Sequence, residues 1–77
     1  MLIIDVRTQE EYTQGHADNS VHIPLDILAV EIEKKQISKD TPIVVCCESG
    51  GRSAYAVMIL QSIGFTHVTN GGSWRNL

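Results

Sequence analysis

Short apolar runs that alternate with polar, helix-like segments are the dominant pattern along this chain. Residues 2–6 form a mainly apolar run, and residues 43–46 form an uncharged, β-branched run of the kind that builds buried strands. Residues 21–23 and 67–69 are shorter strand candidates. Because helix-like segments separate these runs, the pattern predicts parallel strands joined by right-handed crossovers.

Helix signals occur in each segment between the strand candidates. Thr8 and Glu11 have the spacing of a capping box, which predicts a short helix over residues 9–14. Residues 27–32 mix apolar and acidic positions in a ragged amphipathic pattern, which predicts a second helix.

The third predicted helix opens at Arg52 or Ser53 and ends at Gly64, which is a suitable C-terminal cap. Its apolar stripe consists of Ala56, Ile59, Leu60 and Ile63. The elements together predict an α/β fold, with a small open parallel sheet of about four to five strands and helices on both faces. We expect a single domain over residues 1–77.

Composition excludes several classes of function. Hydrophobic residues make up 43% of the chain and charged residues 19%, which is typical of a globular protein. The net charge of −3 and the lack of a basic patch argue against a nucleic-acid partner. No apolar stretch approaches the length of a membrane span, so we expect no membrane role.

The two cysteines, Cys46 and Cys47, are adjacent in the sequence. Neighbouring strand residues point to opposite faces, so a disulfide between them would be strained. Reduced thiols and a cytoplasmic location are the expectation. Met1 is followed by apolar residues without a basic leader, so we expect no signal peptide; an already processed, periplasmic form is the alternative.

Cys47 stands where a buried strand gives way to a helix, at the edge of a parallel sheet where ligands bind. Gly50 and Gly51 allow successive backbone N–H groups to converge on an anion, and the helix N-terminus adds partial positive charge. Arg52 adds a permanent cation. Each feature lowers the pKa of a thiol, so the pattern predicts a reactive Cys47 and a structural, buried Cys46.

The loop length distinguishes this site from that of the cysteine-dependent phosphatases. Those enzymes have a C-x5-R loop, whereas Cys47 and Arg52 are separated by one residue fewer. The shorter ring of N–H groups is better matched to a single sulfur atom than to a phosphate. Phosphatase or arsenate reductase activity is therefore disfavoured.

Five motifs in order make the chain resemble the rhodanese family, specifically its short, phage-shock-type members. The motifs are D-V-R at 5–7, E-Y with G-H at 11–16, N-S-V-H-I-P at 19–24, C-E-S-G-G-R-S-A at 47–54, and G-F with V-T-N-G-G at 64–72. The resemblance covers nearly the whole chain. It implies the rhodanese fold and a thiosulfate sulfurtransferase.

The resemblance implies that Cys47 takes sulfur from thiosulfate or another sulfane donor and passes it to cyanide or a thiol. It also implies that the loop holds the outer sulfur, with substrate-binding residues Glu48, Ser49, Gly50, Gly51, Arg52 and Ser53. No metal or organic cofactor is expected. Small-molecule donors and acceptors are the expected partners, and a protein or thiol acceptor is a further candidate.

Glu48 leaves the donor and the type of activity open. A carboxylate facing the pocket would repel the thiosulfate dianion and favour a protein persulfide or a less charged sulfane. The alternative function is therefore a non-catalytic or weakly catalytic rhodanese-like module that carries a persulfide or binds a protein.

The remaining polar residues have simpler interpretations. Asp5 and Arg7 are expected to be structural, because buried carboxylates are normally satisfied by hydrogen bonds. His16 and His22 lack a third ligand and are expected to make hydrogen bonds near a turn. Trp74 is expected to cover the core.

Overall fold

The computed structural model describes residues 1–77 and contains one four-stranded sheet. The strands are β1 (Leu2–Asp5), β2 (Ser20–His22), β3 (Ile43–Cys47) and β4 (Val68–Ser73). The helices are α1 (Gln9–Gln14), α2 (Leu28–Lys34) and α3 (Gly51–Ser62), with short 3-10 turns at Leu25–Ile27 and Trp74–Asn76. None of the helices is long and apolar enough to cross a membrane.

All strand pairs in the sheet are parallel, in the order β2-β1-β3-β4. Right-handed crossovers in this order put α1 on one face of the sheet and both α2 and α3 on the other. The predicted α/β fold with an open parallel sheet is therefore confirmed, with four strands.

The apolar core lies on the face covered by α2 and α3. Alternate residues of β1 and β3 point into it, and α2 and α3 close it from above. Its buried members are Ile4, Val6, Ile23, Leu28, Ile32, Ile43, Val45, Cys47, Ala56, Leu60 and Phe65. The opposite face of the same two strands carries Asp5 and Cys46, which lie side by side in the register of β1 and β3.

Helix α1 has the predicted bounds and the predicted cap. The Thr8 Oγ1 accepts a hydrogen bond from the Glu11 backbone N–H at 3.3 Å, and Glu11 Oε1 accepts one from the Thr8 N–H at 3.0 Å. Helix α2 begins one residue later than the first residue of the predicted span, because a 3-10 turn over Leu25–Ile27 precedes it.

Strand β4 differs most from the sequence prediction, since it runs to Ser73 rather than ending at Thr69. Asn70 pairs with Val45 and Gly72 pairs with Cys46, so the residue between them is an extra one, accommodated by a bulge. A Cβ at Gly71 would lie 2.6 Å from the Val44 Cγ1. Only a glycine fits at this position of the continuing strand.

Candidate active site

Cys47 is the last residue of β3, and the chain turns directly above its sulfur before α3 begins at Gly51. Gly50 adopts a left-handed conformation, with φ of 107°, and caps α3. This turn aims two backbone donors at the cysteine: Gly50 N lies 3.0 Å and Ser53 N lies 3.4 Å from the Cys47 Sγ. The strand end, the turn and the helix N-terminus thus form a cradle for a sulfur anion.

Ser53 supplies a third group to the same sulfur. Its side chain is fully buried, and its Oγ lies 3.5 Å from the Cys47 Sγ. The same Oγ lies 3.1 Å from the Gly50 carbonyl oxygen and 2.6 Å from Asn70 Oδ1. Ser53 was predicted as a site residue, whereas the contact with Asn70 has no signal in the sequence.

The environment of Cys47 favours its thiolate. Burial raises the pKa of this thiol, but hydrogen bonds from the Ser53 hydroxyl and from the N–H groups of Ser53, Gly50 and Ser49 lower it to about 7. Because the thiolate is the nucleophilic form, a substantial fraction of Cys47 is reactive at neutral pH.

Cys46 has the opposite environment, one residue away. Its side chain is fully buried, and burial together with the Asp5 carboxylate raises the pKa of its thiol to about 11. A protonated thiol in an enclosed site is unreactive. Both cysteines are free, as expected from their adjacency.

Arg52, which the sequence predicts to add a cation to the loop, is paired with a carboxylate. Its Nη1 and Nη2 donate to the two carboxylate oxygens of Glu11 at 2.7 and 2.9 Å. This bidentate pair lowers the pKa of Glu11 to about 2, with Arg52 as the main cause. Arg52 therefore ties α1 to the first turn of α3 and acts on Cys47 only through space.

Glu48 is also compensated by a residue that the sequence did not indicate. Its carboxylate accepts hydrogen bonds from Arg75 Nη1 at 2.5 and 2.7 Å and from Trp74 Nε1 at 3.1 Å. The Arg75 guanidinium, followed by the Trp74 indole, lowers the pKa of Glu48. An ionised carboxylate that is paired with a guanidinium repels an approaching dianion less than an unpaired one does.

The sequence predicted that Trp74 would cover the apolar core, and this prediction is wrong. Its ring lies between the guanidinium groups of Arg7 and Arg75, each 4.7 Å from the ring centroid. It approaches Gly15 so closely that a Cβ there would lie 2.9 Å from the ring. The indole therefore belongs to the polar side of the sheet, next to the loop that begins at Glu48.

Asp5 and Arg7 form a buried ion pair on that polar side, with Arg7 Nη2 at 2.7 Å from Asp5 Oδ2. Asp5 Oδ1 also accepts from the Arg7 backbone N–H at 3.0 Å. His22 Nε2 lies 2.8 Å from the Arg7 carbonyl, and His16 Nδ1 lies 2.8 Å from the Tyr12 carbonyl. These contacts fit the structural roles expected for all four predicted residues.

A groove of about 540 Å³ adjoins the cradle beside α3. Arg52, Tyr55 and Ile59 form its wall on the helix side, and Pro24 and Leu25 lie on the opposite side. The Tyr55 side chain remains 58% exposed. The groove offers apolar surface next to the helix turn that carries Ser53.

Comparison with known proteins supports the family that the motifs suggest. Residues 1–74 match the family model of the rhodanese-like domain. The thiosulfate sulfurtransferase PspE of Escherichia coli is 35% identical over 74 residues, which cover 96% of this chain and 71% of that protein. A sulfurtransferase of Allochromatium vinosum is 31% identical over 70 residues, which cover 91% of this chain and 64% of that protein.

A solved structure gives the same result for the fold. A rhodanese with anions from E. coli superposes with a TM-score of 0.91 at 34% identity, covering 99% of this chain and 89% of that chain. The similarity thus spans the sheet, the helices and the loop after Cys47.

Proposed function

This chain belongs to the rhodanese family of sulfurtransferases, and on that premise we propose that Cys47 carries sulfur as a persulfide from a sulfane donor to a thiophilic acceptor. One observation carries the proposal: Gly50 N, Ser53 N and Ser53 Oγ converge on the Cys47 Sγ. The two N–H groups stabilise a sulfur anion before the reaction begins, and the Ser53 hydroxyl can turn to donate to it once the anion forms.

The first half-reaction loads the cysteine. The Cys47 thiolate attacks the outer sulfur of thiosulfate, and a new S–S bond forms at Sγ. The S–S bond of thiosulfate breaks, and sulfite leaves with its electron pair. A thiolate and a dianion thereby give a persulfide anion and a sulfite dianion, so charge is conserved. The activated thiolate makes this covalent step accessible near neutral pH.

The turn over residues 48–53 is proposed to hold the outer sulfur of the persulfide. N–H groups in the first turn of a helix lack partners within the helix, and they carry partial positive charge. We assign this binding to the backbone of Glu48, Ser49, Gly50, Gly51, Arg52 and Ser53. The Glu48 side chain takes no part, because Arg75 and Trp74 hold its carboxylate.

The second half-reaction unloads the cysteine. A nucleophile such as cyanide attacks the outer sulfur, and a C–S bond forms while the S–S bond breaks. The electron pair of that bond returns to the Cys47 Sγ as a thiolate, and thiocyanate leaves. A thiol acceptor reacts in the same way and becomes a persulfide. No step of this cycle calls for a metal or an organic cofactor.

Thiosulfate is the proposed donor, and the pairing of Glu48 supports it. The carboxylate that could oppose a dianion shares its charge with Arg75. Arg52, by contrast, is already paired with Glu11, so the backbone N–H groups remain the main anion-binding feature. The cytoplasmic location suggested by the free thiols stays a prediction.

A second candidate is a persulfide carrier that delivers sulfur to a protein with little turnover on small acceptors. The observation in its favour is the exposed apolar surface of α3 beside the cradle. Tyr55, which lines the groove beside α3, is 58% exposed. A protein acceptor could contact this surface while its thiol approaches the persulfide.

Intact mass spectrometry tests the proposal directly. The protein, Cys46→Ser and Cys47→Ser are treated with thiosulfate, separated from excess reagent without reductant, and weighed before and after cyanide. We expect the wild type and Cys46→Ser to gain one sulfur atom and to release it as thiocyanate, and Cys47→Ser to gain none. Sulfur on Cys46, or no sulfur on either cysteine, contradicts the proposal. Stable loading with negligible thiocyanate supports the carrier.

A further inference from the structure

Asn70 connects strand β4 to the cradle through both ends of its side-chain amide. Its Nδ2 donates to the Gly50 carbonyl oxygen at 3.1 Å. Its Oδ1 accepts from the Gly72 backbone N–H at 2.9 Å and from the Ser53 hydroxyl at 2.6 Å. The bulge in β4 makes this possible, because it brings Gly72 back towards the amide of Asn70.

The orientation of this amide is determined by its partners. Rotating it by half a turn would set Nδ2 against the Gly72 N–H and Oδ1 against the Gly50 carbonyl, leaving two donors and two acceptors face to face. The oxygen of Asn70 therefore faces Ser53. Because that oxygen only accepts, the contact at 2.6 Å takes the proton of the Ser53 hydroxyl.

The Ser53 hydroxyl has one proton and three acceptors within reach: Asn70 Oδ1 at 2.6 Å, the Gly50 carbonyl oxygen at 3.1 Å and an ionised Cys47 Sγ at 3.5 Å. The shortest of these contacts is the one with Asn70. A Cys47 thiol can donate its own proton to the Ser53 Oγ, and the hydroxyl then stays with Asn70. A Cys47 thiolate can only accept, so the hydroxyl must turn from Asn70 towards the sulfur, 3.5 Å away. Asn70 and the thiolate thus compete for the same proton.

We propose that Asn70 is a positioning residue that holds the Ser53 hydroxyl proton while the Cys47 sulfur is uncharged and releases it when the thiolate forms. This inference rests on the proposed function, because it assigns the hydroxyl a position in each half-reaction. In the persulfide the negative charge lies on the outer sulfur, Sγ is neutral, and the hydroxyl points to Asn70. As the acceptor removes the outer sulfur, charge returns to Sγ and the hydroxyl turns to it. The O–H bond rotates and does not break.

The other titratable groups that interact with the sulfur lie on elements other than β4. Arg52 on α3 and Cys46 on β3 both interact with the charge of Cys47. Asn70 itself is uncharged. Asn70→Ala therefore acts through hydrogen bonds, and the groups that set the background electrostatics stay in place.

A double-mutant cycle on the pKa of Cys47 tests the role of Asn70. The pKa is measured from the pH dependence of the Cys47 Cβ chemical shift, without any sulfur donor, in wild type, Asn70→Ala, Ser53→Ala and the double variant. Loss of the contact with Gly50 loosens the turn in both backgrounds, so this effect cancels in the cycle. The coupling between the two positions therefore reports where the Ser53 hydroxyl proton goes: to Asn70, to the Gly50 carbonyl oxygen or to the sulfur.

We expect Asn70→Ala to lower the pKa of Cys47 more in the wild-type background than in the Ser53→Ala background. The expected difference is about half a unit, which is about a threefold change in the ratio of thiolate to thiol. Asn70→Asp keeps an acceptor oxygen, and its carboxylate holds the hydroxyl more strongly, so its coupling with Ser53 has the opposite sign. Thr69→Ala, at the exposed neighbouring position, is the matched control and shows no coupling.

Equal shifts in the two backgrounds, or the same sign of coupling for the Ala and Asp variants, overturn the role of Asn70. This failure is distinct from failure of the proposed function. If the persulfide forms on Cys47 but Asn70 and Ser53 show no coupling, only the positioning role of Asn70 is wrong. If no persulfide forms but the coupling is present, the sulfur transfer is wrong and the competition for the hydroxyl proton stands.

Discussion

Cys46 and Cys47 are neighbours on β3 and are equally buried, yet their thiols ionise in very different pH ranges. Burial is the largest single influence on each, and it raises the pKa in both. The pKa of Cys46 is about 11, whereas that of Cys47 is about 7. Solvent exposure alone therefore does not identify the reactive thiol.

The difference between the two pKa values comes from the groups that contact each face of β3 at the end of the sheet. On the core face, the chain turns over Cys47, and N–H groups from Gly50 and Ser53 point at its sulfur. On the opposite face, Cys46 lies beside the Asp5 carboxylate, which opposes a second negative charge. Because neighbouring side chains of a strand point to opposite faces, one of these thiols is a nucleophile and the other is unreactive.

The largest expected effect is on the free energy of unfolding, and it comes from a substitution on the face of the strand that carries Cys46. Asp5→Asn leaves the buried guanidinium of Arg7 without its charged partner, so we expect a loss of about 3–5 kcal/mol in the free energy of unfolding. The loss of the Asp5 charge also lowers the pKa of Cys46 and narrows the gap between the two thiols.

Urea unfolding measures this loss, and Glu31→Gln is the matched control. Glu31 forms an exposed pair with Lys34 at 3.3 Å, and removing it costs less than about 0.5 kcal/mol. A loss for Asp5→Asn no larger than that of the control would contradict the stabilising role assigned to the buried pair.

A smaller effect is expected from removing a hydrogen-bond donor near Cys47. Ser53→Ala removes one donor from the thiolate, so the pKa of Cys47 rises by about one unit, and the thiolate fraction at neutral pH falls roughly fivefold. Initial rates of thiocyanate formation should fall by a similar factor at pH 7 and recover at higher pH.

Ser62→Ala is the control for this variant. Its hydroxyl donates to the Ile59 carbonyl at the far end of the same helix, 2.6 Å away, and is exposed. The control should leave both the rate and its pH dependence unchanged. An unaltered pH profile in Ser53→Ala would mean that the hydroxyl does not stabilise the sulfur anion.

The parts of the molecule that follow from local rules were predictable from the sequence. The capping box of Thr8 and Glu11 determines α1 within one turn of chain. The β-branched run before Cys47, followed by a Gly-rich turn, is enough to place that cysteine at the carboxyl edge of the sheet.

The parts that depend on how distant segments meet were not predictable. Glu11 and Arg52 are 41 positions apart, and Glu48 and Arg75 are 27 apart, so their pairing exists only once the sheet has formed. Asn70 reaches the cradle only because β4 continues through a bulge. The two charged residues of the loop, Glu48 and Arg52, are therefore each paired with a residue outside it.

The pKa values of the two neighbouring buried thiols differ because only one of them receives hydrogen bonds from the turn. The most direct test is a pH titration of the Cβ chemical shifts of both cysteines in the unmodified protein. We expect midpoints of about 7 for Cys47 and about 11 for Cys46, with sulfur transfer rising as Cys47 ionises. Coincident midpoints, or an earlier ionisation of Cys46, would contradict it.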